Sequence, residues 1–137
     1  MKGKVAPDFN HKTIYDKEIS IKDYKGTPII MIFSEIGCAP CMIALPDLNE
    51  ITKKYKNIKV ISVYPKDKRE IIKKHVTKNK ILYDIIDKSE DLAKNYCISG
   101  YPTFFIIDKN GILNYIQSGY GDGMKEILEK EIEKVLK

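Results

Sequence analysis

Tryptophan is absent from this 137-residue chain, arginine occurs once, at Arg69, and histidine only at His11 and His75. A nucleic-acid reader concentrates arginine on one face beside aromatics or a recognisable motif, and neither is here. The remaining basic residues are lysines dispersed among acids, with a formal charge of +5, which is the pattern of a solvated surface. Long apolar runs are also missing. The longest, Ile29–Phe33, is far short of the roughly 20 residues that span a bilayer. The opening Met1-Lys2-Gly3-Lys4-Val5-Ala6-Pro7 has no apolar stretch that could serve as a signal-peptide core, so the chain as written reads as cytoplasmic by default. Cysteine is sparse: Cys38, Cys41 and Cys97 are an odd number, below the four or more that a structural disulfide framework uses. A zinc site is not expected either, because the histidines lack ligand spacing and the one C-x-x-C pair has no second pair to complete it.

What is present is enough for one domain spanning residues 1–137, with 43% hydrophobic residues and regular apolar spacing. Ile19-Ser20-Ile21-Lys22 alternates with period two and predicts a half-buried strand in an N-terminal hairpin. Pro28 to Phe33 reads as a strand buried on both faces. Met42, Leu45, Leu48, Ile51 and Tyr55 form an apolar stripe on a helix that begins after Cys38, has Pro40 in its first turn and Pro46 as an expected kink, and stops near Asn57. Further elements are a strand over 58–64, a helix over 67–76, a strand over 81–86 and a short helix capped by Ser89. A strand over 103–107 then turns at Asp108-Lys109-Asn110-Gly111 into a strand over 112–117, and an amphipathic helix ends the chain. This alternation implies an α/β domain with helices on both faces of the sheet.

The chemistry gathers at Cys38-Ala39-Pro40-Cys41. Cys38 follows a buried strand and opens a helix, where unpaired first-turn N–H groups stabilise the thiolate that disulfide exchange requires. Cys41, one turn along, lies on the same side but deeper, in position to close a disulfide or resolve a mixed one. Gly100-Tyr101-Pro102-Thr103 places a proline directly before a strand, where its missing N–H costs no ladder bond.

Together, Ala6-Pro7-Asp8-Phe9, the Cys38–Cys41 helix start, Pro46, Gly100-Tyr101-Pro102-Thr103 and Asp108-Lys109-Asn110-Gly111 resemble the thioredoxin superfamily over nearly the whole chain. Within it they are most similar to bacterial thiol-disulfide oxidoreductases of the cytochrome-maturation type, which carry a similar N-terminal hairpin. The resemblance implies a thioredoxin-like fold with a central mixed sheet. It also implies a cis peptide at Tyr101-Pro102 facing the cysteines, and substrate contacts by Tyr101, Pro102, Ala39 and Pro40. The implied partners are a protein thiol or disulfide substrate and an upstream redox donor, met by a monomer without cofactor or metal, on the outer side of a bacterial membrane behind a lost anchor. The departures are Gly37 where the family commonly has tryptophan, and Ile32 and Ala44 where it carries acids. Glu35 is the only acid beside the pair, and its simplest role is an exposed loop charge. Cys97 is expected to pack as a small apolar residue.

The resulting expectation is disulfide exchange through Cys38 and Cys41, in the reducing direction. Two other readings stand beside it. A thiol peroxidase on the same fold would need a threonine shortly before the reactive cysteine and an arginine, whereas Glu35-Ile36-Gly37 precede Cys38 and Arg69 falls in a predicted helix. A redox-silent binding module or cysteine-based metal carrier would leave the pair unreactive.

Overall fold

Five apolar residues in succession, Ile29–Phe33, cannot leave one face of a strand in water, and the structure places them at the centre of a five-stranded sheet. The computed structural model describes all residues, 1–137. Its elements are β1 (Asn10–Lys12), β2 (Glu18–Ser20), β3 (Ile29–Phe33), α1 (Ala39–Lys54), β4 (Lys59–Val63), α2 (Arg69–Asn79), β5 (Asp84–Ile86), α3 (Glu90–Asn95), β6 (Thr103–Ile107), β7 (Leu113–Ser118) and α4 (Met124–Leu136). The sheet order is β5-β4-β3-β6-β7, and β1 and β2 form a separate antiparallel hairpin. Strands β5, β4 and β3 are parallel, whereas β6 runs antiparallel to β3 and β7 to β6, which makes the sheet mixed.

Alternation along β3 sends its side chains to both faces. Ile30 and Ile32 meet Leu45, Leu48 and Ile51 of α1, Ile72 of α2 and Leu128 and Ile132 of α4. On the other face Ile29, Met31 and Phe33 meet Leu92 of α3 and Tyr96 just after it, with Phe9 and Ile19 from the hairpin region. Phe33 packs edge-on to Phe105 and tilted against Tyr96, with ring centroids 5.7 and 5.4 Å apart. The expected α/β layering with helices on both faces is therefore present.

The differences from expectation occur where long-range bonds outweigh local pattern. The second hairpin strand ends at Ser20, because Asp23 accepts a hydrogen bond from the Ser20 N–H at 3.0 Å and Ile21–Tyr24 coil into a 3₁₀ turn. The residues 81–83 leave the strand: Ile81 N–H bonds to Val76 O and Leu82 N–H to the Asn49 side chain. Helix α2 starts at Arg69 and runs on through polar residues to Asn79, closed by Lys80 in the left-handed region at φ 52°. Helix α1 ends at Lys54, passes through Pro46 on its exposed side, and leaves Met42 exposed, so the buried stripe is Cys41, Ala44, Leu45, Leu48 and Ile51. Ser89 stands at the N-cap of α3, but its hydroxyl makes no cap bond and is buried without a partner. Its ψ of 35° departs from the extended backbone that aims a capping side chain at the first-turn amides.

One buried polar pair lies against the apolar layer. His75 of α2 is 8% exposed and Tyr64, just after β4, is 1% exposed. Asn79 donates through Nδ2 to the His75 carbonyl at 3.0 Å and lies 3.2 Å from Nδ1, so Nδ1 accepts and Nε2–H donates to the Tyr64 oxygen at 3.2 Å. Burial holds the His75 pKa below its ordinary value against the opposing charge of Asp67, with Lys78 adding to the depression. Protonation would also set an Nδ1–H against the Asn79 N–H donor.

Two outcomes are expected. Phe33→Ala should lower the stability measured by urea unfolding by about 3–5 kcal/mol, through lost burial and a cavity between α3 and the sheet. The unfolded chain protonates His75 near pH 6.5, but the folded chain does so only at lower pH. Stability should therefore fall as pH drops below about 6.5, and a His75→Gln variant should show a flatter urea midpoint between pH 7 and 5.5.

Candidate active site

The site forms where β3 stops and α1 starts. The N–H of Ser34 continues the ladder to the Val63 carbonyl at 2.8 Å, after which the chain leaves the sheet. Gly37 adopts φ +93°, a conformation that side chains rarely enter, although a Cβ there would meet nothing within 4 Å. Backbone conformation, not crowding, thus accounts for glycine where the resembling family commonly carries tryptophan.

The turn delivers Cys38 to the N-cap of α1. Its Sγ accepts the Cys41 N–H at 3.3 Å, satisfying one of the orphan amides of the first turn, and Pro40 in that turn has no N–H to satisfy. Cys38 is half-buried, and Cys41, at 3% exposed, lies beneath it. The two are joined as a disulfide with Cα atoms 5.2 Å apart, so the described state is the oxidised one. Both spacing and depth are as the sequence predicted. Ala39 is exposed and Pro40 half-buried at the mouth of the helix, and Ile43 is 58% exposed beside them.

Facing the pair is the segment between α3 and β6. The Tyr101–Pro102 peptide is cis, and the Tyr101 carbonyl oxygen lies 3.6 Å from Cys38 Sγ. Pro102 is buried; its carbonyl accepts from Gly119 N–H at 2.9 Å, and Thr103 Oγ1 donates to the Gly100 carbonyl at 2.7 Å. These bonds fix the segment from both sides. The backbone N–H and C=O of Tyr101 have no backbone partner. Lys66 Nζ stands 5.6 Å from the Tyr101 ring centroid. The Tyr101 hydroxyl is pushed above its ordinary pKa by burial first and then by the charges of Glu35, Asp67 and Glu90.

Ile32 and Ala44 are both buried in the apolar layer, so no acid occupies either of those positions. Asp67 instead reaches the site from the loop after β4, accepting the Ile36 N–H at 3.0 Å. The sequence reading missed Asp67 and Lys66. The available signal was their position just beyond the carboxyl end of a parallel strand beside β3, where open α/β sheets place their clefts.

Cys97 departs from expectation. It is exposed, not packed, and lies in the left-handed region at φ 56°. Helix α3 ends there, with Ile98 N–H bonding to Ala93 O and Cys97 N–H to Lys94 O, the Schellman pattern that puts the residue after the cap into this conformation. Ile98, the next residue, takes the apolar contact instead. Arg69 is fully engaged: it holds Asp87 through two nitrogens at 2.8 and 3.0 Å, Asp16 at 2.7 Å and the Thr13 carbonyl at 3.3 Å. Those donors tie α2 to β5 and the hairpin region. No group of three or more His, Cys, Asp or Glu side chains is arranged to hold a metal ion, and no helix is long and apolar enough to cross a membrane.

Comparison with known proteins agrees with this geometry. The family model described as AhpC/TSA family matches residues 2–116. The thiol-disulfide oxidoreductase ResA of Bacillus thuringiensis subsp. konkukian is 32% identical over 136 residues, covering 97% of this chain and 78% of the relative. The thioredoxin-like protein YneN of Bacillus subtilis is 28% identical over 139 residues, covering 98% and 78%. Among solved structures, a protein assigned as thiol:disulfide interchange protein DsbE, from Chlorobium tepidum, superposes with a TM-score of 0.93 at 26% identity, covering 100% of this chain and 99% of that one. StoA of Bacillus subtilis superposes with a TM-score of 0.79 at 25% identity, covering 93% and 98%. With a strand-to-helix cysteine pair, a facing Tyr101–Pro102 segment and these relatives, the chain belongs to the AhpC/TSA family and, within it, to the thioredoxin-fold thiol-disulfide oxidoreductases.

Proposed function

We propose that residues 1–137 act as a single thioredoxin-like domain, one copy sufficing, that reduces disulfides in protein substrates with Cys38 as the attacking sulfur. The observation that carries this reading is the half-buried Cys38 at the N-cap of α1 with Cys41 buried beneath it. In the reduced protein the Cys38 thiolate attacks one sulfur of a partner disulfide. A Cys38–partner bond forms and the partner's other sulfur leaves as a thiolate, which takes up a proton. Cys41 then loses its proton and attacks Cys38 Sγ, closing the intramolecular disulfide and releasing the second partner thiolate. Two electrons pass to the substrate, and an upstream dithiol donor must return them for another cycle.

The N–H and C=O of Tyr101, which lack backbone partners, suit an extended substrate segment that pairs main chain to main chain, with Pro102 fixing the edge and Ala39 and Pro40 forming the opposite wall. Exposed Met42 and Ile43 offer apolar contact beside the sulfur. The reducing direction follows from how little stabilises the thiolate. The Cys38 sulfur accepts one main-chain N–H, Ala39-Pro40 contributes no charge, and the charges acting on Tyr101 include three carboxylates. A thiolate held only by a helix end favours the disulfide form more than one held by cations as well, and so makes the pair a better electron donor.

Cys38→Ser should reduce insulin-disulfide reduction to the uncatalysed rate, and retained activity would contradict the assignment. Cys41→Ser should attack once and stall, so that a covalent adduct with a disulfide-containing protein appears by mass spectrometry and disappears with dithiothreitol. In the same variants, Cys97→Ser should leave the reductase rate within about twofold of the wild type, as expected for an exposed residue at a helix end.

A further inference from the structure

The loop that delivers Cys38 is held at three main-chain points. Ser34 N–H reaches the Val63 carbonyl at 2.8 Å, Ile36 N–H reaches Asp67 Oδ2 at 3.0 Å, and Cys38 N–H reaches the Glu35 carbonyl at 3.4 Å. The first of these belongs to the sheet and the last lies within the loop. Asp67 is therefore the one side chain from elsewhere in the fold that fastens this main chain, from 31 residues further along the sequence. Asp67 is half-buried and makes no ion pair; Lys66 beside it is turned to the Tyr101 ring, and Arg69 is committed to Asp87 and Asp16. Lys68 and Lys88 line the same cleft, but neither forms an ion pair with the Asp67 carboxylate. The charge acts on Tyr101 from one side and on Tyr64 and His75 from the other. Around Tyr101 the other charged groups are Glu35 on the loop, Glu90 and Lys94 of α3, and Lys66.

We propose that Asp67 is a positioning residue for disulfide exchange: its carboxylate fixes the loop that carries Cys38, and its unpaired negative charge opposes the Cys38 thiolate and keeps the pair reducing. Asp67 acts from the loop after β4, not from the Ile32 and Ala44 positions on β3 and α1. The two contributions can be separated chemically. An amide keeps an oxygen that can accept from Ile36 N–H but carries no charge, whereas alanine removes both. The inference rests on Cys38 being the attacking sulfur, and the experiment distinguishes failure of that reading from failure of this one.

The test compares wild type, Asp67→Asn and Asp67→Ala. Cys38 alkylation in the reduced proteins is followed against pH, the Cys38/Cys41 pair is equilibrated with glutathione buffers, and attack on a small aromatic disulfide is timed at a pH where Cys38 is fully ionised. Asp67→Asn should lower the Cys38 midpoint by about half a pH unit. It should also shift the glutathione equilibrium about threefold towards the dithiol, while the limiting rate of attack stays within about twofold of wild type. Asp67→Ala should show the same midpoint shift and lose about fivefold or more in that limiting rate. An Asp67→Asn midpoint and equilibrium identical to wild type would overturn the electrostatic role, and it decides that point even if Asp67→Ala fails to fold. A folded Asp67→Ala protein with an unchanged limiting rate would overturn the positioning role. A wild-type pair that does not exchange with glutathione would refute the Cys38/Cys41 reading itself.

Discussion

The hydrogen bond from the Cys41 N–H to Cys38 Sγ, at the mouth of α1, is the interaction on which the site depends. A helix start leaves amide groups without partners, and the residue at the cap supplies an acceptor. Here the acceptor is sulfur, which places the group with the chemistry at the positive end of the helix. The same bond keeps the two cysteines one turn apart, near enough to be joined. Moving the first cysteine one residue into the helix would leave the second out of register with it.

The rest of the fold keeps that cap in place. Apolar β3 is clamped between two core layers and ends at a fixed point, so Gly37 and Cys38 begin where the sheet requires. The antiparallel neighbour β6 enters the sheet beside the end of β3, with Thr103 opposite Phe33, which brings Tyr101 and Pro102 to the sulfur from across the strand order. The parallel neighbour β4 pairs Val63 with Phe33, so the residues just after it, including Asp67, arrive on the other side. Three strand ends thus converge on one sulfur without any one loop being long.

Much of this was legible in the residues because it rests on local rules. The unbroken Ile29–Phe33 run marked a central strand, and the C-x-x-C spacing after it placed one cysteine over the other. Pro102 before a β-rich run marked the facing segment, and the resemblance to the thioredoxin superfamily joined these pieces into one architecture. What stayed illegible depends on partners distant in sequence. Asp67 looks like one more loop acid until Ile36 is seen to need its carboxylate. Residues 81–83 carry strand-like composition, yet their amides bond to the end of α2 and to Asn49. Cys97 has a small, apolar side chain, but the closing geometry of α3 turns it outward and sends Ile98 inward. Ser89 has the right residue type for a cap and the wrong backbone angle to act as one.

Disulfide exchange at this site depends on the ionisation of Cys38 relative to an ordinary thiol. The direct measurement is the pH dependence of iodoacetamide capture by the reduced protein, with each cysteine followed separately by peptide mass spectrometry. The helix cap predicts a Cys38 midpoint clearly below the unperturbed value of about 8.5. It also predicts slow capture of buried Cys41. A Cys38 midpoint at or above that value would contradict it.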